Sequence, residues 1–433
     1  MQQKRVTSAS GRGALRRIAR RVASSVAARL PSSQGDAVMS MGRAPARGTF
    51  TIEAAKALRA VAGHDDPLLV AYHPSYTTNP YQALLYGAAH DEGIAPIRMP
   101  RMAQLKELKA LQGTGLATIL HLHWLHPVQR DATSEADARR RGRAFLDAID
   151  GYLAVGGRLV WTVHNILPHE TRYEGAEADL HAAVAARSQV IHVLTAGTPD
   201  LVAPYFELPR DRLLHVPHPS YRGAYADDVS RLDARHQLGL MPDEFVVAAV
   251  GAIRAYKGLD ELLDAWQDVP GDRPRRLLIA GAPVDEPGTE ALIERAAIDA
   301  RVLIDARKLP ADEMQVFLRA TDVAVLPYRR ALNSGALMLA LTFGVPVIVP
   351  EGGGLAEVVD PSFARTFTVG DRASLTAALA EAPSLATPEA RNAAAEAAAR
   401  LDPHDLSLRF ARDLRARLRG ADRAPAPEPA AHG

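Results

Sequence analysis

Short apolar runs alternate with amphipathic stretches along most of the chain, and they fall into two series. The first series has runs at 68–72, 94–99, 117–122, 159–163, 190–194 and 213–216, and the second has runs from 245 onward and at 277–280, 302–305, 323–326, 345–349 and 364–368. Short apolar runs separated by helical stretches are typical of buried parallel strands. The pattern therefore predicts an α/β protein with two Rossmann-like doubly wound domains.

Helices and a linker are predicted between these runs. Amphipathic stretches over 81–90 and 143–154, and an apolar stretch over 336–342, have the spacing and length of helices. Residues 217–243 carry Pro, Gly, Tyr and Asp with little periodicity. Such a stretch indicates a hinge between the two domains.

The two series and the composition of the chain ends predict the domain organisation. The segments are a basic leader at 1–47, a first domain at 48–222, a second domain at 240–402 and a tail at 420–433. A chain of 433 residues is long enough for two well-buried domains. The tail, rich in Ala and Pro, has the composition of a disordered segment.

The leader differs from the rest of the chain in charge. The first fifty residues hold ten Lys or Arg and one acid, Asp36, and apolar residues from Leu15 to Leu30 fall on one helical face. One interpretation is a disordered basic leader, and a second is an amphipathic helix that makes peripheral contact with the inner membrane surface. An organelle transit peptide is a third.

Composition excludes several classes of protein. The 51 basic and 50 acidic residues give a net charge of +1, so no overall field favours nucleic acid as a partner. The absence of cysteine excludes disulfides and thiolate metal sites, which suits a cytoplasmic protein. No apolar run approaches the length of about 20 residues that a membrane-spanning helix needs.

One stretch of the second domain, 322–359, has the order strand, loop, helix, strand, loop, helix. Pro327 ends its first strand because proline lacks an amide donor, and Ser334 is placed to cap the first helix. Glycines at 352–354 allow the backbone to approach a ligand closely. Both loops follow parallel strands, where such sheets bind ligands and where helix N-termini favour anions.

The motifs of this stretch resemble a known family. D-x-x-x-x-P-Y, S-G-A, F-G-x-P-V-I and G-G-x-x-E-V, together with FVVAAVGAIRAYKG from Phe245, are similar to the donor-binding half of the retaining GT-B glycosyltransferases of family four, the glycosyl transferases group 1. The similarity covers about residues 240–360. It implies two Rossmann-like domains facing across a cleft, and a C-terminal helix, here 403–419, that packs back onto the first domain.

The resemblance also implies which residues bind the donor. They are Gly251, Arg254, Lys257, Ser334, Gly335 and Glu357. Arg254 and Lys257 stand where the family holds the nucleotide-sugar diphosphate, and cations there would stabilise the charge of the leaving group. Each residue also has a structural alternative, such as a solvated charge, a helix cap or a first-turn acid.

The family pattern is not complete in this chain. The family usually has two glutamates, eight positions apart, that contact sugar and ribose hydroxyls. Counted back from Pro346, the equivalent positions hold Ala331 and Leu339. This departure puts binding of ribose by a carboxylate of that helix in doubt, and such a carboxylate has either moved elsewhere in the chain or been lost.

The first domain carries candidate residues at the ends of its strands. The strand that ends at Val163 is followed by His164, which resembles the histidine that approaches the donor sugar in the family and is a candidate catalytic residue with Arg254 and Lys257. The residues assigned to the acceptor side are Asn79, His123, Asn165 and His169. Asn79 precedes a proline, and its structural alternative is a turn that starts a helix.

The histidine run HLHWLHP gives a rival interpretation. His121, His123 and His126 approach the H-x-H-x-x-H motif of binuclear metal hydrolases, but the aspartate before the last histidine is replaced by Leu125. Cleft-lining or packed histidines are the other interpretation. The chain also lacks the D-x-D triplet of metal-dependent transferases, which favours metal-independent transfer.

The sequence as a whole leads us to expect a hexosyltransferase. It would move a sugar from a nucleotide-diphosphate donor to a glycan, glycolipid or small acceptor in polysaccharide or glycoconjugate biosynthesis, with retention and without a cofactor. It would be cytoplasmic, in peripheral contact with the membrane if the leader binds there. A metal-dependent hydrolase, a non-catalytic GT-B scaffold and a nucleotide-sugar epimerase are the alternatives.

Overall fold

Two sheets of six parallel strands form the centre of the protein. The computed structural model describes residues 49–421 except 78, 169–170 and 271–274. The first sheet contains β1 (Leu68–His73), β2 (Ile94–Arg98), β3 (Thr118–Leu122), β4 (Arg158–Val163), β5 (Val190–Val193) and β6 (Leu213–His215). The second contains β7 (Phe245–Val250), β8 (Arg275–Ala280), β9 (Val302–Asp305), β10 (Val323–Val325), β11 (Val347–Pro350) and β12 (Ala364–Phe367). The predicted two-domain α/β fold is confirmed, and each predicted strand lies within two residues of its observed bounds.

The strand orders explain where a ligand can bind. They are β2-β1-β3-β4-β5-β6 and β12-β11-β10-β7-β8-β9. The direction of winding reverses between β1 and β3 in the first sheet and between β7 and β10 in the second. Doubly wound sheets bind ligands outside the carboxyl ends of the strands at this reversal. The loops after these four strands are therefore the expected site.

Helices connect the strands in both domains. The described α-helices are α1 (Thr49–Ala60), α2 (Tyr81–Leu85), α3 (Leu105–Gln112), α4 (Glu135–Leu153), α5 (Glu174–Arg187), α6 (Thr198–Val202), α7 (Arg231–Gln237), α8 (Leu259–Asp268), α9 (Thr289–Ile298), α10 (Met314–Ala320), α11 (Gly335–Thr342), α12 (Gly353–Ala356), α13 (Arg372–Glu381), α14 (Pro388–Arg400) and α15 (Pro403–Ala421). Single 3-10 turns occur at Ala89–Glu92, Met102–Gln104, His126–Val128, Arg210–Arg212, Ala255–Lys257 and Ala382–Leu385. Among the described residues no helix is long and apolar enough to span a bilayer.

Three local predictions differ from the structure. The helix predicted over 81–90 is broken into α2 and a 3-10 turn, with Gly87, a poor helix former, in the gap. Helix α4 begins earlier than predicted because Ser134 caps it by accepting a hydrogen bond from the Asp137 amide at 3.1 Å. The predicted linker contains α7, which Ser230 caps in the same way.

Helix α15 leaves the second domain and packs against the first. Leu406, Phe410, Leu414 and Leu418 recur every four residues on its buried face, in one cluster with residues of β1 and β5. The Ser407 hydroxyl donates to the Leu85 carbonyl at 2.8 Å and accepts from the Ala88 amide at 2.9 Å. The first domain is therefore built from two separate parts of the chain. The predicted leader and most of the predicted tail lie outside the described residues.

A buried carboxylate joins three elements of the second domain. Asp322, which precedes β10, accepts hydrogen bonds from Arg235 Nη2 at 2.7 Å and from the Val246 amide at 2.8 Å. Arg231 pairs with the other oxygen of the same carboxylate. Arg235 is only 2 % exposed, so Asp322 neutralises a charge that water does not reach. The first residue of the D-x-x-x-x-P-Y motif thus holds α7 against β7 and β10.

Candidate active site

A cavity of about 350 Å³ lies at the carboxyl ends of the two sheets and is lined by both domains. Its first wall comes from the segments after β1, β3 and β4 and from α5, and its second wall comes from the segments after β7 and β10. The lining includes Asn79, Trp124, His126, Arg130, His164, Asn165, Glu177, Arg254, Lys257, Tyr328, Ser334 and Gly335. The cavity therefore occupies the place that the strand orders indicate.

The second wall presents two cations to the cavity. Arg254 and Lys257 follow β7 in and around a 3-10 turn. A Cβ atom on Gly251 would stand only 2.7 Å from Lys257 Nζ, so glycine at that position leaves room for the ammonium group. Burial lowers the pKa of Lys257, and the Arg254 guanidinium lowers it further. Lys257 Nζ also lies 5.5 Å from the centre of the Tyr328 ring. This wall is suited to an anionic ligand.

The N-terminus of α11 faces the cavity beside these cations. The Ser334 hydroxyl caps the helix by accepting from the Leu337 amide at 3.2 Å, and it lies 3.4 Å from the Tyr328 hydroxyl. Ser334 and Gly335 both line the cavity. A Cβ atom on Gly335 would stand 2.6 Å from the Tyr221 hydroxyl, so the chain tolerates only glycine there without a shift. The helix terminus adds partial positive charge to the basic wall.

The first wall is aromatic and largely neutral. His164 follows β4 and its ring stacks on Trp124 with the ring centres 4.1 Å apart. Asn333 of the second domain donates to the His164 carbonyl at 2.6 Å, which holds the two walls in register. Asn79 lines the cavity, while its side-chain oxygen accepts from the Tyr81 amide at 3.0 Å at the start of α2. Burial lowers the pKa of His164 well below its ordinary value.

Behind this wall lies a chain of hydrogen-bonded neutral histidines. His192 Nε2 donates to the Val216 carbonyl at 2.9 Å, so His192 Nδ1 accepts from Thr162 at 3.0 Å. The Thr162 oxygen then accepts from His121 Nε2 at 2.7 Å, and His121 Nδ1 accepts from the Tyr86 hydroxyl. Each donor in this chain meets an acceptor only when both rings are neutral.

These hydrogen bonds argue against a metal site at the histidine run. Both ring nitrogens of His121 are occupied by Tyr86 and Thr162, which leaves no lone pair for a metal. His123 Nδ1 lies 3.0 Å from His164 Nε2, and His126 is on a separate turn. Across the part of the chain that the structure describes, no group of three or more possible ligands is placed to hold a metal. The glycosyltransferase interpretation is therefore preferred to a metal-dependent hydrolase.

The neutral histidines predict a loss of stability in mild acid. Burial lowers the pKa of His192, His218 and His181 to about 4, against about 6.5 in the unfolded chain. Their contribution to the free energy of unfolding is complete above pH 6.5 and is lost as pH falls through 6.5 toward 4. Each histidine then changes the free energy of unfolding by about 1.4 kcal/mol per pH unit. Glu177, whose pKa burial raises to about 7, acts in the opposite sense and offsets one of them.

Chemical denaturation between pH 7.5 and 5.0 measures this effect. We expect the free energy of unfolding to fall steeply below pH 6.5. In a His192→Gln variant, the slope of the free energy of unfolding against pH should decrease by about 1.4 kcal/mol per pH unit, because one titrating group has been removed. An exposed control, His404→Gln, should keep the slope of the parent protein. A flat profile from pH 6.5 to 5.0 would contradict the neutral network.

Three of the predicted site residues lie away from the cavity lining. Glu357 faces the first domain instead, where its carboxylate accepts from the Ala196 and Gly197 amides at 2.8 Å each. His123 is 1 % exposed and lies behind the cavity against His164. Gly251 contributes by its contact with Lys257 rather than by lining the cavity. His169 lies outside the described residues. The other predicted residues are brought together at the cavity.

Other lining residues were not assigned a role from the sequence. Trp124, Arg130, Glu177 and Tyr328 contribute to the walls. Glu177 had a recognisable signal, because it is an acid on the same helical face as the buried residues Leu180 and Val184. Ala331, one of the two positions without the glutamate of the family, lines the cavity, whereas Leu339 is buried in α11.

Comparisons with known proteins show a family and a fold. The model of the glycosyl transferases group 1 matches residues 244–384. The GDP-mannose:glycolipid 4-beta-D-mannosyltransferase of Xanthomonas campestris is 31% identical over 288 residues, which are 66% of this chain and 74% of that protein. The D-inositol 3-phosphate glycosyltransferase of Nocardia farcinica is 36% identical over 161 residues, 35% of each chain. Anabaena HepE, solved with UDP and glucose, has 14% identity and a TM-score of 0.60 over 81% of this chain and 100% of its own, which shows the fold alone.

Fold, cleft and relatives define the class of protein. It is a glycosyltransferase with the GT-B fold, in which two Rossmann-like domains form a cleft with one basic and one aromatic wall. The chain belongs to the glycosyl transferases group 1 family.

Proposed function

We propose that the protein transfers mannose from GDP-mannose to the hydroxyl group of a glycolipid or glycan, in the assembly of a polysaccharide or glycoconjugate. The observation that carries the proposal is the cavity, which combines Arg254, Lys257 and the N-terminus of α11 on one wall with an aromatic wall opposite. Donor and acceptor class are supported by the Xanthomonas relative, whose name states both.

The basic wall would hold the diphosphate of the donor. Arg254 offers a planar fork of donors and Lys257 a point charge, and both are suited to phosphate oxygens. The Gly335 amide and the Ser334 hydroxyl at the start of α11 add neutral donors beside them. Negative charge grows on the diphosphate as the bond to the sugar breaks, so these groups stabilise the transition state more than the bound donor. Transfer without a metal ion is proposed on this basis.

The aromatic wall would hold the sugars. Trp124 contributes an apolar ring to the cavity lining, and Asn165 and His126 contribute polar groups. Pockets for small ligands commonly combine apolar rings with a few polar groups that fix orientation. Binding of a glycolipid would bring the enzyme to a membrane surface, and the basic leader predicted from the sequence is suited to anionic lipid there.

The stereochemical outcome separates two mechanisms. Retention is what the family resemblance implies for this chain. The Xanthomonas relative is named for a β-linked product, which requires inversion when the donor carries α-linked mannose. The residues that would decide between them are those near the anomeric carbon.

Binding of nucleotides tests the proposed donor. We expect GDP to raise the melting temperature more than UDP, ADP or dTDP do, with or without EDTA, because a ligand stabilises the folded state that binds it. The shift should vanish in a double variant, Arg254→Ala with Lys257→Ala. A larger shift with another nucleotide would replace GDP-mannose by a donor of that class.

Turnover separates the enzyme from the two remaining alternatives. Release of GDP from GDP-mannose, slowly to water and faster when a glycolipid acceptor is added, would support transfer. Binding of GDP without release under any condition would instead support a non-catalytic scaffold. Conversion of the nucleotide sugar without GDP release would support an epimerase.

A further inference from the structure

A buried acid lies in the wall opposite the cations. Glu177 is in the first turn of α5 and lines the cavity, although the residue is only 5 % exposed. Among the described residues no hydrogen-bond partner reaches its Oε2 atom. Burial of an unpaired carboxyl group opposes folding. Glu177 lies in the cavity wall although its burial destabilises the fold, so it is a candidate for a role in the transfer reaction.

The groups around Glu177 do not neutralise it. On its own helix, His181 Nδ1 lies 3.9 Å from Oε2 and donates instead to the Glu177 backbone carbonyl at 2.7 Å. Burial lowers the pKa of His181 to about 4, so the ring is neutral near pH 7. From the segment after β3, His126 and Arg130 line the same cavity, and Arg130 Nε lies 3.5 Å from Asp131. Glu177 therefore stands in the cavity wall, and no cation of the described residues forms an ion pair with its carboxyl group.

A direct displacement needs one group to bind the leaving diphosphate and another to activate the incoming hydroxyl group, and the two walls can each supply one of them. Arg254 and Lys257 are on the second domain, where they would hold the leaving diphosphate. An incoming hydroxyl group that attacks the anomeric carbon from the side opposite the diphosphate approaches from the first domain. Glu177 belongs to that domain and to the same cavity. The base for such an attack has to be on this side of the sugar.

We propose that Glu177 is the general base that takes the proton of the acceptor hydroxyl group, and that transfer therefore inverts the anomeric configuration. In one step the acceptor oxygen bonds to C1 of the sugar, and the bond from C1 to the diphosphate oxygen breaks. The electron pair of that bond leaves with GDP, and the hydroxyl proton passes to the Glu177 carboxylate. The inference rests on the proposed donor and replaces the retention that the family resemblance implies.

Burial fits Glu177 to this task. It raises the pKa of the carboxyl group to about 7, close to the pH at which a base and its conjugate acid interconvert readily. His164 is another titratable group of this wall. Burial lowers its pKa well below the ordinary value, and its Nε2 atom is 3.0 Å from His123 Nδ1, so it is the weaker base.

The test compares Glu177→Gln with Glu174→Gln, which changes an exposed acid three residues earlier on the same helix. GDP release from GDP-mannose is measured with water as the acceptor between pH 5.5 and 8.5. We expect Glu177→Gln to lower kcat by about 100-fold to 10,000-fold and to remove the fall in rate below about pH 7. Glu174→Gln should keep both. Calorimetric titration with GDP should give each variant the affinity of the parent protein, which shows that the site is folded.

Azide distinguishes a base from a structural residue, because azide is a nucleophile with no proton to remove. We expect azide to restore GDP release in Glu177→Ala and to give a mannosyl azide of configuration opposite to the donor, read by proton NMR. The inference is overturned if Glu177→Gln turns over within threefold of the parent, if His126→Gln rather than Glu177→Gln removes the acid limb, or if the azide product retains configuration. A parent protein that binds no GDP, or binds it without releasing any from GDP-mannose, overturns the proposed function and this inference together.

Discussion

Replacing Lys257 by methionine is expected to lower kcat for GDP release from GDP-mannose by about 100-fold to 1,000-fold, as is typical when a group aimed at developing charge is removed. Methionine has a similar length and keeps the packing against Tyr328, while it removes the ammonium group. Charge on the diphosphate is greatest in the transition state, so kcat should fall more than the affinity for the donor. Steady-state kinetics with calorimetric titration of GDP separates the two quantities.

The control for this variant is Lys106→Met. Lys106 is exposed on α3, far along the chain from the cavity lining, and its loss should leave kcat unchanged. If Lys257→Met raised KM for the donor and left kcat unchanged, the ammonium group would contribute equally to the ground state and the transition state. The proposed stabilisation of the leaving group would then be wrong.

Replacing Asp322 by alanine is expected to lower the free energy of unfolding by about 3–5 kcal/mol, the range for removal of one partner from a buried ion pair. The variant leaves the Arg235 guanidinium buried at 2 % exposure and removes the acceptor of the Val246 amide. Denaturation by urea at pH 7.5 measures the change. Asp312→Ala, at an exposed position ahead of α10, should stay within about 0.5 kcal/mol of the parent protein.

A second substitution identifies the source of that loss. Asp322→Leu combined with Arg235→Met removes both charges and keeps apolar volume, so it should recover part of the stability that Asp322→Leu alone loses. Recovery would be incomplete because Arg235 also donates to the carbonyls of Pro242 and Glu244 at 2.7 and 2.8 Å. If the double variant were less stable than the single one, the stranded guanidinium would not be the cause.

The position of the cleft could be predicted from the sequence because it depends on the ends of the strands. Apolar runs locate the strands, and parallel strands direct their carboxyl ends to one edge. His164 and Arg254 follow such runs within a few residues, and Ser334 stands at the end of the loop that follows the run at 323–326. Strand order and local spacing together therefore explain why these three residues line one cavity.

Contacts between distant segments could not be predicted in this way. The family resemblance implies that Glu357 binds the donor, and in the structure its carboxylate accepts hydrogen bonds from two amides 160 and 161 residues away in the other domain. Glu177 lies within a helix. In a helix, the only sequence signal that separates a buried acid from a solvated one is whether the acid falls on the apolar face. The tautomers of the histidine chain depend on four hydrogen bonds to three partners, Tyr86, Thr162 and Val216, which come from separate segments of the chain. No pattern along the sequence predicts these bonds.

Helix α15 affects the order in which the protein can fold during synthesis. About 200 residues separate the end of β6 from the end of α15, so a ribosome working at about 5–20 residues per second needs about 10–40 seconds to make them. During that time the apolar surface of β1 and β5 that α15 covers is exposed on the nascent chain. The second domain is complete in the meantime. The first domain is therefore synthesised first but completed last.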